Sequence, residues 1–338
     1  MRSDRMPGHI PDPEITLRDA ADFIMNCDLG RRALTETTTG GLAVFLRDLI
    51  AAIHRLSASC HLPEFTDHGL PHLCSLVDRI CQWTCALRGG ETPTLIDLLE
   101  KDEPASLLVA TLIHDIGMLS QKAEDLREDD PMRSAKGRMN VAEWVRKTHT
   151  NRIERLVRRL LDHGGPTHRA ILNSPLFESA AGIARAHGAW PWQSDFTSLH
   201  KREPGLAAVI AVSDLLDEDS NRCDAATLIG HREGTTLNKA HWIRHTLTEG
   251  RVQVREGEVF ASLLRPPGSD AQMKPFYHAL RNHFRLILLY TEPLGLLGAG
   301  LLNTRFDPET GCPQKESSAL AEWRSIPGFA TQGALQIG

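Results

Sequence analysis

The sequence predicts a mainly α-helical protein, a helical bundle with a small C-terminal α+β extension that contains a β-hairpin. Three observations predict it. Apolar residues recur at helical spacing through successive blocks from residue 16 to residue 216, with prolines near several block starts, where a helix tolerates them. Between residues 251 and 264 the pattern changes to two β-like runs separated by Glu256-Gly257, a hairpin signal. Hydrophobic residues make up 41% of the 338-residue chain, enough to bury a substantial core.

Taken in order, residues 16–29 and 41–57 read as amphipathic helices. Residues 71–87 and 104–119 carry longer apolar stripes with proline near their starts and should pack on one another. The charged stretch 121–139 reads as a loop beside the site. Helical patterning resumes over residues 141–161, 176–187, 204–216 and 238–246. Beyond the hairpin, residues 270–290 read as a long helix, and the segment after Tyr290, with Pro293, Pro308, Pro313 and several glycines, reads as loosely structured. The organisation is then an N-terminal helical segment (1–60), a core (61–225), and C-terminal helices with the hairpin packed on that core (226–338).

Charge and composition narrow the function. Against 43 acidic residues stand 38 basic ones, and the net charge of −5 gives no global electrostatic reason to expect nucleic-acid or membrane-surface binding. No stretch reaches the roughly 18 apolar residues a spanning helix needs, because the best candidate, residues 286–302, is broken by Glu292 and Pro293. The N-terminus, with Arg2, Asp4, Arg5, Pro7, Pro11 and Pro13, lacks the apolar core of a secretory signal, so a cytoplasmic location is expected. Seven cysteines without a C-x-x-C pair read as reduced, mostly buried thiols, with Cys81 and Cys85 spaced for one helical face. A homo-oligomer is left open.

The densest chemical signal is ATLIHDIGM, residues 110–118, in which His114 and Asp115 are adjacent within an otherwise apolar helix ending near Gly117. Two ionisable side chains in such a setting need partners, whether each other or a ligand. Upstream, FTDHGLPHLCSLVDRI (65–80) spaces His68 and His72 four apart. Pro71 favours a helix start just before His72, which ranks His72 above His68 as a ligand. Downstream, AVIAVSDLLDEDSNR (208–222) sets Asp214 in an apolar helix, with Asp217 three residues on. Imidazoles and carboxylates without thiolate suit a divalent Mn, Fe, Ni, Co or Mg ion better than structural zinc.

The order His, His-Asp, Asp over three helices resembles the HD superfamily of metal-dependent phosphohydrolases. The wording of the segments is similar to the HD-CE subgroup, FTDHGLPH to its T-D-H-G-x-x-H opening and LIHDIGM to its L-H-D-I-G-M. SDLLDEDSNR is similar to its A-D-x-L-D…R closing motif, with Ser213 in the usual alanine position. The resemblance implies an HD-type bundle with His72, His114, Asp115 and Asp214 as primary ligands of one or two divalent ions. His149, flanked by Arg146 and Arg152, resembles an R-x-x-H-x-x-R pattern, though Ile153 stands where a serine commonly follows. With His187 in GIARAHGAW it would hold a second metal bridged by Asp115.

The implied activity is hydrolysis of a nucleotide or related phosphoester, since an ion with open positions acidifies a bound water and neutralises phosphoryl oxygens. Asp115 is the central catalytic carboxylate in that reading. His68 would orient phosphate or relay a proton, and Arg152 or Arg222 would clamp phosphate oxygens or pair with acidic neighbours. His163 and His168, in DHGGPTHR, are expected in an exposed loop, and His241 and His245 to pack structurally. Two other readings stay open: a non-catalytic nucleotide- or metal-binding sensor or scaffold, since the subgroup occurs in multi-domain signalling and defence proteins, and a di-iron oxygenase.

Overall fold

The computed structural model describes residues 15–59, 69–85, 92–217, 245, 248–263, 286–299 and 303–307. The helices of the described chain are α1 (Leu17–Asn26), α2 (Asp28–Glu36), α3 (Leu42–Ser59), α4 (Leu70–Gln82), α5 (Glu103–Ile113), α6 (Met132–Ala135), α7 (Val141–Leu161), α8 (Gly165–Leu172), α9 (Pro175–Ala186), α10 (Ser194–Thr197), α11 (Glu203–Leu215) and α12 (Thr291–Gly295). The mainly helical expectation holds. Proline occupies the first turn of α4, α5, α8, α9 and α11, where its missing N–H would have been unpaired in any case. The side chains of Asn140 and Ser174 cap α7 and α9.

Two helices are predominantly apolar and enclosed except at their ends. Every residue of α5 from Pro104 to Ile113 is buried, as is every residue of α11 from Gly205 to Ser213. Such helices can only be central struts. Around them pack α2, α4 and α9, and one continuous core runs from Ala20 to Ala299. Each fully buried Leu or Ile in that core is worth about 1.5–3 kcal/mol relative to exposure.

The expected hairpin is present: β1 (Thr248–Arg255) pairs antiparallel with β2 (Glu258–Leu263) across Glu256-Gly257. Both turn residues have positive φ, 52° and 75°, the demand that makes glycine useful here. A third strand, β3 (Asn303–Asp307), runs parallel to β2, and with α12 it replaces the loose structure expected after Tyr290. NTRFD is short and mostly polar, so its strand state comes from the partner edge rather than from its own pattern. The sheet docks on the end of α4, where Arg79 donates to the Val252 carbonyl.

Other departures are local. The predicted helix over 16–29 is broken at Cys27, whose sulfur accepts the Gly30 N–H and starts α2. Because α4 stops at Gln82, Cys81 and Cys85 do not share a helical face; Cys74 and Cys85 are buried and Cys27 and Cys81 half-buried, all free thiols. The expected helix over 238–246, apart from His245, and most of that over 270–290 lie outside the described residues.

The stretch 121–139, expected as a loop, instead carries three short helical turns, Ala123–Asp125, Met132–Ala135 and Lys136–Arg138, and it is tied down. Asp125 is buried beneath Arg159 at 2.8 Å and accepts the Ser120 hydroxyl at 2.6 Å, while the Trp144 indole N–H reaches the Met132 carbonyl at 2.7 Å.

The 3-10 turn after α5 (Ile116–Leu119) meets α7 so closely that a Cβ on Gly117 would lie 2.0 Å from the His149 carbonyl oxygen. Gly117→Ala should therefore cost about 1–3 kcal/mol or more of unfolding free energy. Gly137→Ala, with nothing within 4 Å of the new methyl, should cost far less. Denaturant titration of both variants checks this, and equal midpoints would contradict the close approach.

Candidate metal centre

Helix α5 ends at Ile113, with His114 as its C-cap and Asp115 at φ −107°, ψ 8°. That corrects the expectation of a His-Asp pair inside a helix running on to Gly117. In a continued helix two neighbours would point about 100° apart. The bridge conformation at Asp115, a region where many active-site residues sit, re-aims its carboxylate so that both side chains enter one cluster.

His187 caps α9 in the same way, and Asp214 lies in the last turn of α11. Three helix C-termini therefore converge, and their carbonyl ends carry partial negative charge that favours a cation. His72 comes from the first turn of α4 and His149 from the middle of α7.

The cluster has two halves. His72, His114, Asp115 and Asp214 form one and Asp115, His149 and His187 the other, each with ligand atoms within 4.8 Å of one another. Asp115 belongs to both through different oxygens. Its Oδ2 lies 3.4 Å from His114 Nε2 and 4.0 Å from His72 Nε2, while its Oδ1 lies 3.6 Å from His149 Nε2 and 3.5 Å from His187 Nε2. Asp214 Oδ1 completes the first half, 3.6 Å from His72 Nε2 and 3.9 Å from His114 Nε2.

Every imidazole is oriented by its other nitrogen. The Nδ1–H of His72 donates to Asp217 at 2.7 Å, that of His114 to the Thr111 carbonyl at 2.8 Å, that of His149 to the Arg146 carbonyl at 2.7 Å, and that of His187 to the Ala184 carbonyl at 2.6 Å. These bonds fix the tautomer and turn all four Nε2 lone pairs inward, the outer-shell arrangement usual for metal-binding histidines. His72 and His114 bring their Nε2 atoms to 3.4 Å, a contact that either a proton on one of them or a cation between them makes favourable.

Electrostatics agree. Burial opposes charge on His114, yet the Asp115 and Asp214 carboxylates outweigh it and push its pKa up to about 10. Burial raises Asp214, but the His114 hydrogen bond together with the charges of His114 and His72 outweighs it and holds the carboxyl down at about 2. Burial, only partly opposed by Asp115, pushes His149 down to about 4, so its lone pair is available at neutral pH. The first half thus holds a proton that a divalent ion would displace. Donors each about 2.1 Å from one ion stand about 3.0–3.4 Å apart at octahedral or tetrahedral angles, close to the separations here. The residues present fit a divalent metal in each half.

The outcome for the other sequence candidates is mixed. His68, Arg222 and His241 lie outside the described residues. Arg152 does not serve the phosphate-clamping role expected of it. It is fully buried over the Trp144 ring, and its guanidinium donates to the carbonyls of Ser120, Val145 and Thr148, so it fixes the chain after α5 against α7. His168 is helical and buried, 2.9 Å from Asp48, and not in an exposed loop; His163 is exposed, as expected. His245 is buried.

The residue that sequence reasoning noted but gave no role is Asp217. Buried, it receives His72, the Ser75 hydroxyl at 2.6 Å and Arg79 at 3.2 Å. Its signal was the Asp214–Asp217 spacing of one helical turn.

The profile of the HD-CE family matches residues 62–287. The chain belongs to the HD-CE family. No curated protein and no solved structure matches it. The matched span contains every residue of both halves of the cluster, which ties the geometry of this HD-CE chain to the part that defines its family.

Replacing His149 or His187 with alanine should lower bound metal toward one ion per chain, because either change leaves the second half two donors while the first half keeps four. Elemental analysis of variants purified without chelator checks this. Unchanged metal content in both variants would reduce the centre to its first half.

Proposed function

We propose that this HD-CE chain is a metal-dependent phosphohydrolase acting on a nucleotide or related phosphoester, with a divalent ion such as Mn, Fe, Ni, Co or Mg in one or both halves of the cluster. The observation that carries the reading is the division of the Asp115 carboxylate, one oxygen to each set of imidazoles. A carboxylate placed this way could serve a cation held with each set of imidazoles, and two such ions would suit in-line displacement at phosphorus.

When bound, a divalent ion acidifies a coordinated water and neutralises charge on phosphoryl oxygens. The protein does the positioning. His72 and His114 are wholly enclosed and form the closed back of the site, whereas Asp214 is 31% exposed and His149 17%. The phosphoester therefore approaches on the Asp214–His149 side. Asp214, held ionised, is a donor at that mouth. Asp217 and Arg79 hold His72 from behind and add no group to the open side. The complete donor set favours turnover over a purely structural or sensing role, for which one closed half would suffice.

Asp115→Asn keeps the volume and removes the charge. Losing one electrostatic contact in a transition state costs about 10²- to 10³-fold in rate, and loss of the shared ligand should exceed that. The check is hydrolysis of a nucleotide and phosphodiester panel under saturating Mn, with circular dichroism and melting as fold controls. A folded variant that keeps more than about a tenth of wild-type turnover falls below that range and contradicts the proposal.

A further inference from the structure

The most exposed large apolar side chain among the described residues is Trp192, at 64%. It lies five residues beyond His187, in the turn that leaves α9 at the metal centre. Its ring is stacked on Trp190, with centroids 5.7 Å apart and planes at 9°. One face of the Trp192 indole is therefore covered, so the exposure belongs to its other face and its edges.

The support beneath is rigid. Trp190 lies against Tyr290 at 6.2 Å, and Tyr290 in turn against the buried Phe196 at 5.9 Å. The Tyr290 hydroxyl donates to the Ala189 carbonyl at 3.1 Å. The Trp190 N–H donates to the Gln193 side chain at 2.7 Å, while the Gln193 N–H returns to the Trp190 carbonyl at 2.9 Å. Pro191, between the two tryptophans, restricts the backbone further. A large indole held this firmly with a free face loses little entropy on binding a flat partner.

Its location points to the occupant. The 3-10 turn Ile287–Tyr290 packs on α11, whose last turn carries Asp214, the most exposed donor of the cluster. Tyr290, in that turn, is the ring on which Trp190 rests, so the stack is carried by the element packed on α11; burial and then the Asp214 charge push the Tyr290 phenol pKa upward. A ligand whose phosphate reaches Asp214 would meet the stack with whatever extends from that phosphate. Aromatic side chains accept any nucleobase by stacking, since every base has a π-face.

We propose that the free face of Trp192 is a stacking platform for the aromatic base of a nucleotide whose phosphate lies at the His/Asp cluster. The proposal rests on the phosphoester reading above and deepens it, making Trp192 a specificity-determining residue for substrates that carry a flat heterocycle.

The test is equilibrium binding of adenosine, guanosine, cytidine and uridine monophosphates to the full chain, by tryptophan fluorescence and by calorimetry, in Mn buffer and again in chelator. Ribose phosphate serves as the non-aromatic control. At least one nucleotide should quench wild-type fluorescence. Trp192→Ala should remove most of that quench and weaken binding by about tenfold or more, while Trp192→Phe keeps most of the affinity and ribose phosphate binding is unchanged by either variant. Because Trp192 is largely solvent-exposed, neither change should disturb folding, which circular dichroism checks.

The platform is overturned if none of the nucleotides binds, if Trp192→Ala binds them as wild type does, if ribose phosphate weakens equally, or if the variant changes only the oligomeric state. Nucleotide binding that depends on Trp192 without turnover would uphold the platform and remove the hydrolase reading. Turnover that ignores Trp192 would do the reverse.

Discussion

Four imidazoles turn their Nε2 atoms onto two carboxylates in a nearly closed space, and much of the surrounding structure serves to hold that arrangement. Concentrating electron pairs and negative charge away from water is unfavourable unless a cation or a proton enters. The carboxylates of Asp115 and Asp214 raise the pKa of His114 despite its burial, and the donor chemistry and spacing fit a divalent ion. Asp115 is the hinge of the arrangement because its two oxygens serve different imidazole pairs.

The scaffold maintains this against its own tendency to relax. Apolar α5 and α11 are anchored along their whole length, so their C-terminal ends, carrying His114 and Asp214, have little freedom. Helix α7 is held to the turn after α5 by the close approach at Gly117 and by the buried Arg152, which together fix His149 opposite Asp115. Removing Arg152 would take from the Ser120 carbonyl the buried charged donor that ties this turn to α7. Asp217 plays the matching part for His72, through the only carboxylate among the four groups that receive the cluster's Nδ1–H bonds.

Much of this is legible in the sequence, and the failures have identifiable causes. Helix α7 falls on the predicted residues 141–161 because its periodicity is long and Asn140 supplies a cap. Glu256-Gly257 marks the hairpin. The end of α5 is misread because Gly117 looks like a stop signal, whereas its role is close packing, and nothing local marks Asp115 as leaving the helix. Gly164, Gly165 and Pro166 suggest a loop, yet the proline opens α8, and Asp48, the partner that lies beside buried His168, is far away in sequence. The resemblance to HD-CE proteins, more than spacing, gathers His72, His114, Asp115, Asp214, His149 and His187 into the one neighbourhood where the structure has them. It cannot show that Arg152, beside them in the motif, turns its guanidinium onto backbone carbonyls, because that depends on where Ser120 lies in three dimensions.

The central claim is that one carboxylate organises two cation positions. Anomalous diffraction from Mn-soaked crystals tests it most directly. The account predicts two anomalous peaks flanking Asp115, one enclosed by His72, His114 and Asp214 and the other by His149 and His187. A map with no peak at the cluster, or with a peak bound by residues that exclude Asp115, would contradict it.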